Sequence, residues 1–181
     1  MKRIMSTLTS GIVYSIGSSN STKVTASVEV QPYEDFYFDV SLTISHEFGV
    51  PLEYVIFPSD LVFKNNKIEE ALLPVIPGVI LERSFFQESR SYTTKYPGWP
   101  GVFSDFVSIK LNNSSYTVYS IYQPENPIPV VEIGLVNDDD YIPKSTYSKH
   151  VYRTYIPDKK EWASPTVRIH IGQKQKWPAA N

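Results

Sequence analysis

Val24-Thr25-Ala26-Ser27-Val28-Glu29-Val30 and, shortly after it, Phe36-Tyr37-Phe38-Asp39-Val40-Ser41-Leu42-Thr43-Ile44 carry one pattern twice. In the first stretch Val24, Ala26, Val28 and Val30 alternate with Thr25, Ser27 and Glu29. In the second Phe36, Phe38, Val40, Leu42 and Ile44 alternate with Tyr37, Asp39, Ser41 and Thr43. A period of two belongs to a strand with one face on a core and the other toward water. Between them Gln31-Pro32-Tyr33-Glu34 supplies turn formers, so the two predict neighbouring antiparallel strands.

Similar signals follow in both directions from this pair. Leu52 to Phe57 predicts a strand ended by Pro58, with a short irregular segment starting at Ser59 or Asp60. Ile68-Glu69-Glu70-Ala71-Leu72-Leu73 predicts one helical turn, stopped by Pro74 and Pro77. Residues 74–101 read as a long connection rich in Pro and Gly, a length that is uncommon unless it is functional or holds structure of its own. Phe106 to Leu111 and Tyr116 to Tyr122 flank Asn112-Asn113-Ser114-Ser115 and form the clearest hairpin. Val130 to Val136, Tyr147 to Tyr155 and the alternation Val167, Ile169, Ile171 complete a count of about eight to eleven strands. Together these predict an all-β fold, an antiparallel β-sandwich with little helix, over one domain at 1–172. Residues 1–20 read as a loose start and 173–181 as a linker-like tail.

Composition bounds the function. The 181 residues are enough for one ordinary domain, and such a chain buries roughly 70% of its unfolded surface. With 17 basic and 19 acidic residues the net charge is −2, so no basic field exists to attract a nucleic acid. Cysteine is absent, which removes disulfides, thiol nucleophiles and Cys-held metals. Ser6, Thr7, Thr9 and Ser10 interrupt the apolar run that a secretory signal needs, and no stretch is long enough for a membrane helix. The expectation is a cytoplasmic chain or a piece of a larger protein that lacks its leader. Neither a cofactor nor a membrane partner is implied.

Catalytic signatures are sparse. His46, His150 and His170 lie far apart in sequence and in no metal-ligand spacing, so surface or hydrogen-bonded histidines are expected. Asn137-Asp138-Asp139-Asp140 has the charge for calcium but lacks the interleaved spacers and glycine of a calcium loop, and reads as a solvated turn. Glu82, Glu88, Asp105 and Asp139 offer carboxylates without any spacing that marks an acid–base pair. Tyr141, Tyr147, Tyr152 and Tyr155 read as sheet surface or interface.

Tyr92-Thr93-Thr94-Lys95-Tyr96-Pro97-Gly98-Trp99-Pro100-Gly101-Val102-Phe103 is the most unusual stretch. Its prolines and glycines shape a stiff loop that carries Tyr92, Tyr96, Trp99 and Phe103. A ring held flat stacks on the apolar face of a sugar, and Gln87, Glu88, Arg90 and Asp105 are near enough in sequence to be expected to bond its hydroxyls. The candidate carbohydrate-binding residues are therefore Trp99, Tyr96, Tyr92, Gln87, Arg90 and Asp105. The alternative is that the rings plug the open end of the sandwich or pack on a neighbouring domain.

Three pieces in order carry a resemblance: Leu73-Pro74, Pro77-Gly78 and Phe85-Phe86-Gln87; Tyr96-Pro97-Gly98 followed by Phe103-Ser104-Asp105-Phe106-Val107; and Trp162-Ala163-Ser164-Pro165-Thr166-Val167-Arg168-Ile169-His170-Ile171-Gly172. So ordered, the chain resembles the N-terminal β-domain of large bacterial glycoside hydrolases and their uncharacterised relatives, of galactose-mutarotase-like supersandwich architecture. The resemblance implies a catalytic (β/α)8 barrel in a longer parent chain as partner, and an oligo- or polysaccharide as possible ligand. It also implies that a Trp-x-Ser-Pro strand closes the sandwich. The barrel's carboxylates have no counterpart in these residues, and the mutarotase His and Glu match no motif. The implied role is a non-catalytic accessory domain. Two alternatives stand beside it: a structural or protein-interaction sandwich without sugar binding, and a small mutarotase- or epimerase-like enzyme in which a histidine converges with a carboxylate.

Overall fold

The structure, a computed structural model, describes residues 24–33, 37–58, 61–88, 90–98, 101–126, 128–137 and 144–173. Of these residues 66% lie in strands and 6% in helices, so the all-β, antiparallel sandwich expected from the alternation is what the chain forms.

One sheet runs β1 (Val24–Pro32), β2 (Tyr37–His46), β13 (Thr166–Gln173), β9 (Ser114–Ile121), β8 (Val107–Leu111), β5 (Ile68–Leu73), β6 (Val79–Glu82). The short β12 (Glu161–Ala163) joins it on β2. The second sheet runs β3 (Leu52–Ile56), β11 (Ser145–Ile156), β10 (Val130–Asn137), β7 (Tyr92–Tyr96), with β4 (Leu61–Lys64) on β11. Every pairing is antiparallel.

β1 and β2 pair along their whole length, from Val24 opposite His46 to Pro32 opposite Phe38. The other edge of β2 is shared by β13 and then β12. Ser164 fills the step between them: the Leu42 amide donates to Ser164 Oγ at 3.0 Å, and the Ser164 amide donates to the Leu42 carbonyl at 2.8 Å. The segment from Trp162 to Ser164 thus continues along the edge of β2 beyond the end of β13.

The alternation sorts the faces. Leu42, Ile44, Ile109, Val118, Val167 and Ile169 from the first sheet meet Val55, Val131, Ile133, Leu135 and Tyr152 from the second in one buried core. Burying each such side chain stabilises by about 1.5–3 kcal/mol. The outer faces carry ion pairs. Arg168 bonds Asp39 at 2.7 and 2.9 Å and lies over the Tyr37 ring, and Lys149 and Arg153 flank Glu132.

One expectation is corrected, and two others gain detail. Residues 68–73 form strand β5 and not a helical turn. A bulge sets Ile68 and Glu70 opposite the adjacent pair Leu111 and Lys110, so Glu69 is the extra residue. That extra residue moves the buried positions to 68, 71 and 73, a spacing that imitates a helix face. The connection 74–101 contains β6, a five-residue helix α1 (Arg83–Gln87) that buries Phe86, and β7. These elements are too short to show a periodicity. The last strand passes the expected boundary at 172, since Gln173 still pairs with Ser114. The loose start at 1–20 and the tail beyond 173 lie outside the described residues.

Candidate functional site

β7 is the outer strand of the second sheet, and it carries the aromatic stretch. Its alternation leaves Tyr92, Thr94 and Tyr96 half-buried on one side and Thr93 and Lys95 exposed on the other. Tyr92 packs against the core, and the Tyr96 ring lies 6.0 Å from that of Tyr122. The strand approaches β10 closely because position 134 is glycine: a Cβ there would lie 2.1 Å from the Tyr92 carbonyl oxygen.

Past β7 the chain turns through a cis Tyr96–Pro97 peptide and Gly98. The Val102 amide donates to the Gly98 carbonyl at 3.2 Å, and Val102 itself is buried. The loop is then tied to the 74–76 segment. The Ile76 amide donates to Gly101 O at 2.9 Å, the Phe103 amide donates to Pro74 O at 3.1 Å, and Val75 pairs with Val102 between them. Alternation across this bridge sets Ile76 and Phe103 on the side opposite Val102. They are 64% and 54% exposed, so two large apolar side chains stand at a cross-tied rim.

Two residues past Phe103 the chain enters a polar cluster at Asp105. The Asp105 carboxylate is buried; both oxygens accept from the Ser120 amide, at 3.1 and 3.2 Å, and the Tyr122 hydroxyl donates to Oδ2 at 2.8 Å. His150 is buried beside it, with Nε2 2.8 Å from the Asp105 main-chain oxygen. Ser120 Oγ and Tyr152 hydroxyl are 2.7 Å apart, and Tyr152 packs on Trp162. Burial holds the His150 imidazole below its ordinary value, and the Asp105 charge pulls it part of the way back. Burial also pushes the Tyr122 and Tyr152 hydroxyls upward, with the Asp105 charge adding to it, so both stay protonated.

The structure separates the sequence-derived candidates. Tyr96 and Asp105 lie at one end of β7, linked through Tyr122. Gln87 and Arg90 lie at the other end, where Asn137 of β10 donates from Nδ2 to the Glu88 carbonyl at 3.0 Å. The length of β7, about 13 Å at the rise of a strand, stands between the groups. Gln87 is exposed, and Arg90 is ion-paired to Glu88. Asp105 serves internal donors and faces no solvent. Trp99 lies outside the described residues, as do Asp138, Asp139, Asp140 and Tyr141.

The remaining tyrosines do not group: Tyr152 is fully buried, Tyr147 half-buried and Tyr155 exposed. The histidines do not converge on one acid. His46 Nε2 is 3.0 Å from Ile156 O and its Nδ1 is 3.6 Å from Asp158, while His150 meets a main-chain oxygen of Asp105. His170 lies on β13 opposite Tyr37 and Thr117. Among the described residues no three His, Asp or Glu side chains gather as a metal site would need, and no helix is long and apolar enough to cross a membrane.

Sequence reasoning missed Ser120, Tyr122 and His150 as one group. The available signal was Ser120 itself, a polar residue in register with the inward series Tyr116 and Val118. Compared with known proteins, the chain matches no family model and no curated protein sequence.

Proposed function

We propose that this chain is a non-catalytic β-sandwich that acts by presenting its cross-tied rim to a larger partner. In the setting its sequence resembles, it is an accessory domain of a carbohydrate-active protein, and the partner is the catalytic barrel. One observation carries this reading. Ile76 and Phe103 are exposed on a loop pair fixed by two main-chain hydrogen bonds, while the polar groups around nearby Asp105 are taken up by each other. Exposed apolar side chains on a rigid support suit an interface core. The Asp105 carboxylate is buried with each oxygen already accepting, which does not suit proton transfer to a substrate.

Direct sugar contact is a second reading. It is favoured by Tyr96, which is only half-buried at the end of an edge strand.

A photo-crosslinking amino acid in place of Phe103, in cells that make the protein, tests the first reading. A discrete crosslink, to another protein or to the barrel of the same parent chain as read by mass spectrometry of its peptides, that disappears in the Ile76→Asp background is the expected result. Titration with soluble polysaccharides separates the second: binding that Tyr96→Ala and Trp99→Ala abolish would assign the rim to glycan. No adduct and no binding would contradict both.

A further inference from the structure

The strongest unexplained feature lies far from the rim, at the free edge of the larger sheet. β1 has nine residues, about 30 Å of strand, and pairs with β2 without a bulge. On its outer side no strand pairs with it among the described residues.

Exposed edges invite pairing with another chain, and proteins ordinarily guard them with lysine, internal proline, bulges, short length or a covering element. The other edges here are guarded. β6 has four residues and runs directly into α1. β7 has five and carries Lys95. β3 has five, carries Glu53, and faces an irregular ladder on β11. β1 has no basic residue, a single acidic one in Glu29, and a proline only at its last position.

The strand is also complementary to itself. In an antiparallel pair of two β1 strands centred on Val28, all nine residues find partners. Val24 faces Pro32, Ala26 faces Val30, and Ser27 faces Glu29. Glu29 thus meets a hydroxyl. A shift that centres the pair on Glu29 would set two carboxylates directly opposite, which is destabilising. A shift that centres it on Ser27 leaves two residues of each strand unpaired. In the Val28 register Val24, Ala26, Val28 and Val30 of both copies lie on the core side. Val24 and Val28 already pack against the core, and Val30 is exposed until a second copy covers it.

We infer that β1 is a dimerisation edge, at which a second copy of this chain pairs antiparallel about a two-fold axis through Val28 and makes the two large sheets continuous. Cα atoms facing each other across such a pair lie about 4.5–5.5 Å apart, within the span of a disulfide. The chain contains no cysteine, so an engineered one reports without background.

Sedimentation velocity of the full chain across micromolar to millimolar concentration, with Ala26→Lys alongside, tests the inference. Ala26 is exposed, and a lysine there places a cation inside the proposed seam. The expected result is a concentration-dependent dimer that Ala26→Lys weakens at least about tenfold with unchanged circular dichroism. Oxidised Val28→Cys is expected to run as a covalent dimer, and the combination with Ala26→Lys as a monomer. A wild-type monomer at every concentration, a dimer indifferent to Ala26→Lys, or no covalent dimer from Val28→Cys overturns the inference.

Discussion

Asp105 shows what a loop does to a residue that the sequence displays as free. It sits between Ser104 and Phe106 at the end of a Pro/Gly-rich stretch, and nothing local fixes where its carboxylate points. The fold turns it inward, where the Ser120 amide and the Tyr122 hydroxyl satisfy it. Asp105→Asn keeps one acceptor and introduces a donor with no acceptor waiting. A loss of about 1–3 kcal/mol is expected, read as a lower urea midpoint with an unchanged slope. His150 adds a pH dependence of known sign. Its native value lies below that of the unfolded chain, so below about pH 6.5 the unfolded state takes up a proton that the native state resists. Stability contributed by neutral His150 is full above that pH and falls as the pH drops toward the native value. The slope is at most about 1.4 kcal/mol per pH unit. His150→Gln retains a donor for the Asp105 carbonyl and removes the titration. Stability curves from pH 7 to 5 are expected to be flatter in this variant, and an equal slope would place the titration elsewhere.

At the scale of elements, what was legible followed period and length. β1, β2, β9 and β13 are long, and their existence was readable from residues such as Val28, Leu42, Val118 and Ile169; the β1–β2 pairing was readable too, but the place of β13 between β2 and β9 was not. β5 was not readable, because its bulge at Glu69 replaces a two-residue period by one of three and two. β6 and β7 were hidden by brevity. β7 owes its place to a residue on another strand, and no local pattern reveals that. Gly134 lets the backbone of Tyr92 and Thr93 approach β10, and a Cβ at 134 would meet the Thr93 Cα at 2.8 Å. Gly134→Ala is therefore expected to displace β7 and cost about 1–3 kcal/mol, the range of overpacked interiors. Hydrogen exchange should show lost protection in residues 92–96, with β13 amides unchanged. Uniform loss across both sheets would mean that β7 is no separable element.

Across the whole molecule, composition and alternation made the architecture legible, whereas the site required coordinates. Tyr96 and Arg90 are six residues apart in sequence, yet a strand holds them at opposite ends of β7, a separation that no reading of neighbouring residues supplies. The rim joins residues 74–76 to residues 101–103, distant in sequence, by main-chain hydrogen bonds that carry no side-chain signature. The proposed function divides the labour: the surface pair Ile76 and Phe103 would meet the partner, and the buried group around Asp105 would take no part in that contact. The crosslinking yield from position 103, compared between the otherwise native chain, Ile76→Asp and Asp105→Asn below the melting temperature of each, measures that division directly. The account predicts that Ile76→Asp abolishes the adduct and Asp105→Asn preserves it. An adduct that survives Ile76→Asp but is lost in folded Asp105→Asn would contradict it.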